Sequence, residues 1–416
     1  MSNCIWLTNG LNIKPVNHDP NNSISVTNCC RSKNDPWTIK QLPENIRYAG
    51  KPASSISQYL TQIKDPNYNY QNVKDTVCRT CTDAEITTGT STRVKFNNFH
   101  LRHGDAKVPD DKIGFIHITF GNFCNFSCRY CGTHSSTEWN KDVTAIKELY
   151  KEPTFKEKKF SGLTEIFMTE RENYEHEKDV LKDLEKQDLK ELQYIGVFGG
   201  EPFLSRHWQQ FVELLDSKTD LSKVVMQINS NFSTFPKPHI IELFKKFRYV
   251  DLRISNEAVG PLAEYIRYGM NFQRFETNIK KWQEVNKEYK NIVLTPHMTN
   301  SVYNINKIVE FDEWAHDMNI LNGPIKATFV GYVYNPSYLD IRRVLNNKQL
   351  DKCNEILDSV KTLTIKQDLK RFISNRSFQD EQPKMLQEFK DYTKTIDSVR
   401  NEKLQDVNPE LYDWLY

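Results

Sequence analysis

Between residues 113 and 333, short apolar runs of strand period alternate with longer stretches of helical period. Ile113 to Phe120 alternates apolar and polar positions and predicts a first β-strand. Tyr194 to Phe198, Val224 to Ile228, Tyr249 to Ile254, Asn291 to Pro296 and Ile325 to Val333 predict five more. The intervening segments read as helices. Phe272 to Asn286 spaces Phe272, Phe275, Ile279 and Trp282 along one helical face, with Lys and Glu on the other. Asn304 to Met318 does the same with Ile305, Ile308, Val309, Phe311 and Ala315. Strands alternating with helices require a parallel sheet with right-handed crossovers, and six βα units close only part of a barrel. The expected fold is therefore α/β, a partial (βα)6 TIM-like barrel open on one side.

The flanks differ in pattern. Residues 1–110 form an expected separate N-terminal domain, residues 111–335 the barrel and residues 336–416 a helical C-terminal extension. In the last of these, Leu345 to Leu363 and Phe378 to Leu404 carry an apolar stripe among Lys, Asp, Glu and Gln, which suits a cover over the barrel or the N-terminal module. Residues 151–187, rich in Lys and Glu, interrupt the barrel as a charged, solvent-facing insertion.

Composition narrows the class. The 416 residues are enough to bury a sizeable core in two domains plus appendages, and 38% hydrophobic with 26% charged residues describes a soluble globular protein. A formal net charge of +2 gives no electrostatic footprint for nucleic acid and argues against an RNA-modifying role. No long apolar run marks a transmembrane helix, and Met1 to Gly10 lacks the parts of a signal peptide. With most of the nine cysteines clustered as ligands, the expected compartment is a reducing cytoplasm.

Those clusters carry the chemistry. Cys124, Cys128 and Cys131, in the spacing Cys-x3-Cys-x2-Cys, follow the first predicted strand. A tight loop at a strand end brings three thiolates into one small volume. Three thiolates hold three irons of a 4Fe–4S cube and leave the fourth iron open to a ligand that is not protein. The same cysteines with His134 also describe a Cys3His zinc site. Far downstream, the predicted strand Tyr194 to Phe198 runs into Gly199-Gly200-Glu201-Pro202. On its own this is a β-turn with an exposed acid.

Together the cysteine loop and the Gly-Gly-Glu turn resemble the radical S-adenosylmethionine (radical SAM) superfamily, and the likeness runs to about residue 335. Tyr130, one place before the last cysteine, also matches the family pattern. The resemblance implies that the open iron takes the amino and carboxylate groups of S-adenosyl-L-methionine. The reduced cluster then cleaves it to a 5′-deoxyadenosyl radical that abstracts hydrogen from substrate. Gly199 and Gly200 would let the backbone approach the methionine part of the cofactor, and Glu201 would suit its ammonium group. Asn229 and Ser255, at two later strand ends, would contact the ribose or carboxylate, although ordinary turn-forming residues occupy such places too. Many relatives have Ser-x-Asp after the fourth strand where this chain has Ser255-Asn256-Glu257. Arg267 either meets the cofactor carboxylate or stacks on its tyrosine neighbours.

The N-terminal region adds Cys29, Cys30, Cys78 and Cys81. In an intracellular chain such pairs read as metal binding before disulfide, and four cysteines in two pairs also describe structural zinc. The layout resembles radical SAM proteins with an N-terminal twitch domain, which implies that residues 1–110 are a small β-rich metal-binding domain with an auxiliary iron–sulfur cluster on these cysteines. Cys4 and Cys353 have no evident partners and read as plain thiols. The leading expectation is a radical SAM enzyme acting on a peptide or small-molecule substrate, with an electron donor such as flavodoxin or ferredoxin. The alternatives are a zinc-stapled binding or structural protein, and a non-catalytic iron–sulfur scaffold or electron carrier.

Overall fold

A computed structural model of the chain describes residues 10–15, 24–27, 94, 108–109, 112–119, 121–150, 177–205, 207–321 and 329–416. Its strands are β1 (Gly10–Pro15), β2 (Ile24–Thr27), β3 (Phe115–Thr119), β4 (Tyr194–Phe198), β5 (Val225–Ser230), β6 (Tyr249–Ser255), β7 (Ile292–Asn300) and β8 (Phe329–Tyr332). The longer helices are α1 (Trp139–Tyr150), α2 (Glu177–Glu185), α3 (Trp208–Lys218), α4 (Pro238–Phe244), α5 (Gly260–Ile266), α6 (Phe272–Tyr289) and α7 (Ile308–Asp317). After β8 follow α8 (Asn347–Asp358), α9 (Leu363–Ile373), α10 (Gln382–Arg400) and α11 (Pro409–Leu415). Hydrogen bonding orders the strands β2-β1-β3-β4-β5-β6-β7-β8, and β3 to β8 are the six parallel strands of the expected partial barrel.

The chain divides into two compact units. The first comprises Met1–Gly121, Tyr174–Ile228 and Pro238–Val250. Parallel register there sets Ile116, Ile195 and Met226 in one row and Ile118, Val197 and Ile228 in the next. All six are at most 1% exposed. Burying each such side chain is worth about 1.5–3 kcal/mol, so these rows fix which face of the sheet is apolar. His117 and Gln227 fall on the opposite face by alternation. There the Tyr194 hydroxyl donates to Gln227 Oε1 at 2.7 Å. Two strands from the first 110 residues extend this sheet: β1 lies parallel to β3, with Gly10 beside Phe115, and β2 pairs antiparallel with β1.

The second unit comprises Asn122–Asn173, Asn229–Lys237 and Asp251–Tyr416. Helix α6 shows why the predicted segments fold as they do. Asn271 caps it by accepting from the Arg274 amide at 2.7 Å, and Phe275, Ile279 and Trp282 make its buried stripe. Lys290 ends it in a left-handed conformation, φ 59°. The C-terminal helices pack by the same logic. Asn346 and Gln349 form a capping box at the start of α8, and Phe389 of α10 meets the Tyr303 ring at 5.1 Å.

Several boundaries differ from the sequence reading. The strand expected to stop at Pro296 continues to Asn300. Proline removes an amide donor, and among the described residues β8 pairs with β7 from His297 to Asn300, the part of the strand beyond Pro296. The stretch Ile325 to Val333 forms β8 at Phe329–Tyr332, and residues 322–328 lie outside the described residues. Of the charged insertion, α2 begins within residues 177–187, and residues 151–176 lie outside the described residues.

Candidate functional site

In the second unit, the cysteine loop runs through residues 122–138 into α1 with little regular structure of its own. Side chains tie it together. Asn122, fully buried, donates to the Thr133 carbonyl at 3.0 Å and accepts at its own carbonyl from the Thr137 amide at 3.0 Å. The Ser136 hydroxyl donates to the Phe126 carbonyl at 2.5 Å. The loop also pairs by backbone with the end of α5 and the residues just after it: the Ser127 amide donates to the Tyr268 carbonyl and the Arg129 amide to that of Ile266, at 3.0 and 2.8 Å.

The three thiols are therefore held in place before any ligand arrives. Cys124 and Cys128 are buried, Cys131 is half-buried, and none is in a disulfide. Burial pushes the Cys128 thiol up, against the opposing pull of the Arg267 charge. It pushes Cys131 up to about 12, helped by the neighbouring Cys128. Two side-chain donors aim at sulfur. Asn231 Nδ2 lies 3.8 Å from Cys124 Sγ and 3.0 Å from Asn125 Oδ1, and Arg267 Nη1 lies 3.9 Å from Cys128 Sγ.

Among the described residues no three His, Cys, Asp or Glu side chains converge on a point that one metal ion would occupy. The fit of this loop to a metal group rests on its donor chemistry. Cys128 and Cys131, kept protonated by burial, would exchange their protons for a thiophilic metal centre, which supplies the charge that the site lacks. The Asn231 and Arg267 donors then satisfy the sulfurs, as outer partners do in metal–thiolate sites. The residues present fit such a group.

Arg267, at the end of α5, donates to Glu257 Oε2 from Nη2 at 2.7 Å and from Nε at 3.2 Å. Its guanidinium carbon lies 5.6 Å from the centre of the Tyr130 ring. The Tyr130 hydroxyl is buried, and burial together with the neighbouring Glu257 carboxylate pushes it well above its ordinary range, against the pull of the Arg267 charge. Arg267 thus combines an ion pair with Glu257 and proximity to the Tyr130 ring. Asn229 faces His297, with 3.2 Å between Asn229 Nδ2 and His297 Nδ1. Burial and the charges of Arg253 and Arg267 hold His297 down at about 3, so its imidazole is neutral at ordinary pH. Ser255 closes β6 and is half-buried.

Gly199, Gly200 and Glu201 belong to the first unit. Gly199 has φ +88°, and a Cβ there would lie 2.4 Å from Thr119 Cγ2 and 2.7 Å from the Gly121 carbonyl oxygen. Only glycine fits that turn. Glu201 is buried, not the exposed acid of an ordinary turn, and its Oε1 accepts from the Phe203 amide at 3.2 Å, capping the helical turn Pro202–Leu204.

Within the second unit the structure thus gathers Cys124, Cys128, Cys131, Tyr130 and Arg267, and sets Asn229 against His297. Cys29, Cys30, Cys78 and Cys81 lie outside the described residues. Cys353 is a plain buried thiol, pushed up to about 12 by burial. Three residues of the site escaped the sequence reading. Asn231 carried a signal in the run Asn229-Ser230-Asn231, and Glu257 stood two places after Ser255. His297 carried none, being the sixth residue of β7 and the first that pairs with β8.

Residues 118–309 match the model of the family described as the Radical SAM superfamily. No curated protein matches the sequence. Among solved structures, the chain is similar to anSMEcpe with bound AdoMet at 15% identity and a TM-score of 0.40, covering 59% of this chain and 60% of that one. It is similar to Streptococcus suis SuiB bound to the precursor peptide SuiA at 16% identity and 0.37, covering 64% and 48%. SuiB bound to S-adenosylmethionine aligns at 12% identity and 0.34, covering 76% and 62%. These matches span less than two thirds of each solved chain.

Proposed function

Because residues 118–309 match the model of the Radical SAM superfamily, we propose that the chain is a radical SAM enzyme in which Cys124, Cys128 and Cys131 ligate a 4Fe–4S cluster at which S-adenosyl-L-methionine is reductively cleaved. The observation that carries this reading is the loop itself: three thiols, none in a disulfide, held by internal hydrogen bonds, with Asn231 and Arg267 donors turned toward their sulfurs. The cluster, when bound, supplies the electron that converts the cofactor to a 5′-deoxyadenosyl radical, which takes hydrogen from substrate.

The remaining work falls to the chain's own side chains. Gly199 and Gly200, with no Cβ in the way, let the backbone approach the methionine part of the cofactor, and Glu201, fixed by its bond to the Phe203 amide, receives the ammonium group. Asn229, oriented by His297, and Ser255 contact ribose or carboxylate. Arg267 adds positive charge beside the anionic sulfurs, with Tyr130 packed against it. The substrate is a peptide or a small metabolite, and a flavodoxin or ferredoxin supplies the electron. Residues 1–110 form a twitch-like domain in which Cys29 or Cys30, with Cys78 and Cys81, holds an auxiliary cluster. No helix among the described residues is long and apolar enough to cross a membrane.

Glu201→Ala tests the reading by equilibrium binding of S-adenosylmethionine to anaerobically reconstituted protein. Weakened binding with unchanged iron content is expected. Wild-type protein that takes up zinc and binds no S-adenosylmethionine would replace the enzyme with a metal-stapled binding protein.

A further inference from the structure

Cys128 is the middle thiol of a loop without helix or strand to fix its backbone, yet every carbonyl around it has a donor. The Ser127 carbonyl accepts from Arg400 Nη2 at 2.7 Å, that of Cys128 from Trp139 Nε1 at 3.1 Å, and that of Arg129 from the Tyr392 hydroxyl at 2.5 Å. Tyr392 and Arg400 both lie on α10, beyond residue 309, where the family match ends.

Arg400 is itself immobilised. It donates to Asp142 Oδ2 at 2.8 Å and to Ser127 Oγ at 3.0 Å, and its guanidinium lies 4.5 Å from the Tyr268 ring centre and 4.9 Å from that of Trp139. A second arginine ties the loop to the same helix from the other side. Arg129, fully buried, stacks 3.5 Å over Tyr265 and donates to Asp397 Oδ1 at 2.7 Å and Glu402 Oε2 at 2.8 Å. Buried ion pairs of this kind come close to breaking even in stability, because desolvating two charges offsets most of their attraction. Their effect is on where the backbone stands.

We propose that Tyr392 and Arg400 are positioning residues for Cys128, so that the C-terminal helix is part of the housing of the metal-binding loop. The inference rests on the reading of that loop as a cluster site. Thr393, next to Tyr392 on α10, provides the internal control. Its hydroxyl shares a 2.8 Å hydrogen bond with the buried Tyr303 hydroxyl and anchors the same helix without touching the loop.

The test uses full-length, anaerobically reconstituted wild type, Tyr392→Phe, Arg400→Met, Arg400→Lys and Thr393→Val, with iron transfer to an external chelator and the EPR spectrum of the reduced protein as readouts. Loss of one buried hydrogen bond is expected to speed iron release about five- to tenfold in Tyr392→Phe and Arg400→Met, with an altered EPR signal. Arg400→Lys should recover part of the wild-type behaviour. Thr393→Val should lower Tm yet release iron at the wild-type rate. Wild-type rates in Tyr392→Phe and Arg400→Met, or equal acceleration in Thr393→Val, would overturn the inference while leaving the cluster reading in place. A wild-type chain that takes up no iron overturns both.

Discussion

The guanidinium of Arg267 bridges Glu257 and Cys128, 2.7 Å from the carboxylate and 3.9 Å from the sulfur. Glu257 occupies the acidic place of the Ser-x-Asp pattern that this chain lacks, and here the longer acid serves the arginine. Both side chains are almost wholly buried. A positive charge is thereby delivered to a thiol that burial otherwise keeps protonated.

Removing one member strands the other. Arg267→Met leaves Glu257 charged and buried, and the expected loss is about 3–5 kcal/mol of unfolding free energy. Glu257→Gln combined with Arg267→Met should recover most of it. Denaturant titration of the two single variants and the double decides the matter, since strictly additive losses would contradict the pairing.

Asn231 lends an N–H to Cys124. Donors to cluster sulfurs raise the reduction potential by stabilising the more negative state. Asn231→Leu should retain the iron and shift the midpoint to more negative values in an EPR-monitored redox titration, whereas an unchanged midpoint would show that the contact carries no charge stabilisation.

Two glycines with positive φ separate strain from crowding. Gly260, at φ +57°, has no atom within 4 Å of an added Cβ, so Gly260→Ala should cost only about 1 kcal/mol of backbone strain. Gly199→Ala adds the collision with Thr119 and the Gly121 carbonyl and should cost clearly more, about 2–4 kcal/mol. Thermal unfolding of both variants gives the comparison.

His297 makes stability depend on pH in a stated direction. Its folded-state value, about 3, lies below the 6.5 of an ordinary imidazole. Above the higher value the ring is neutral in both states and pH has no effect through it. Between the two, only the unfolded chain takes up the proton, so stability falls as pH falls, by at most about 1.4 kcal/mol per unit. His297→Gln should flatten that part of the stability–pH curve, and an unchanged slope would refute the assignment.

Much of the fold was legible because strand and helix periods alternate cleanly. The rows Ile116, Ile195, Met226 and Ile118, Val197, Ile228 are what such a pattern demands. One feature was not. The passage of β7 through Pro296 depends on where its neighbour pairs, which no local propensity encodes. Of the site, the cysteine loop and Gly199 announce themselves by spacing and by residue type. Arg267 is visible, but its choice of Glu257 is a matter of packing, and the bonds from Tyr392 and Arg400 join residues far apart in sequence.

The most direct test is to purify the chain anaerobically, count iron and sulfide, and assay 5′-deoxyadenosine release from S-adenosylmethionine under dithionite, beside a Cys124/Cys128/Cys131→Ala triple variant. The account predicts cleavage by the wild type and none by the variant, with the iron of an auxiliary cluster retained in both. Zinc in place of iron with no cleavage, or cleavage that survives loss of all three cysteines, would contradict it.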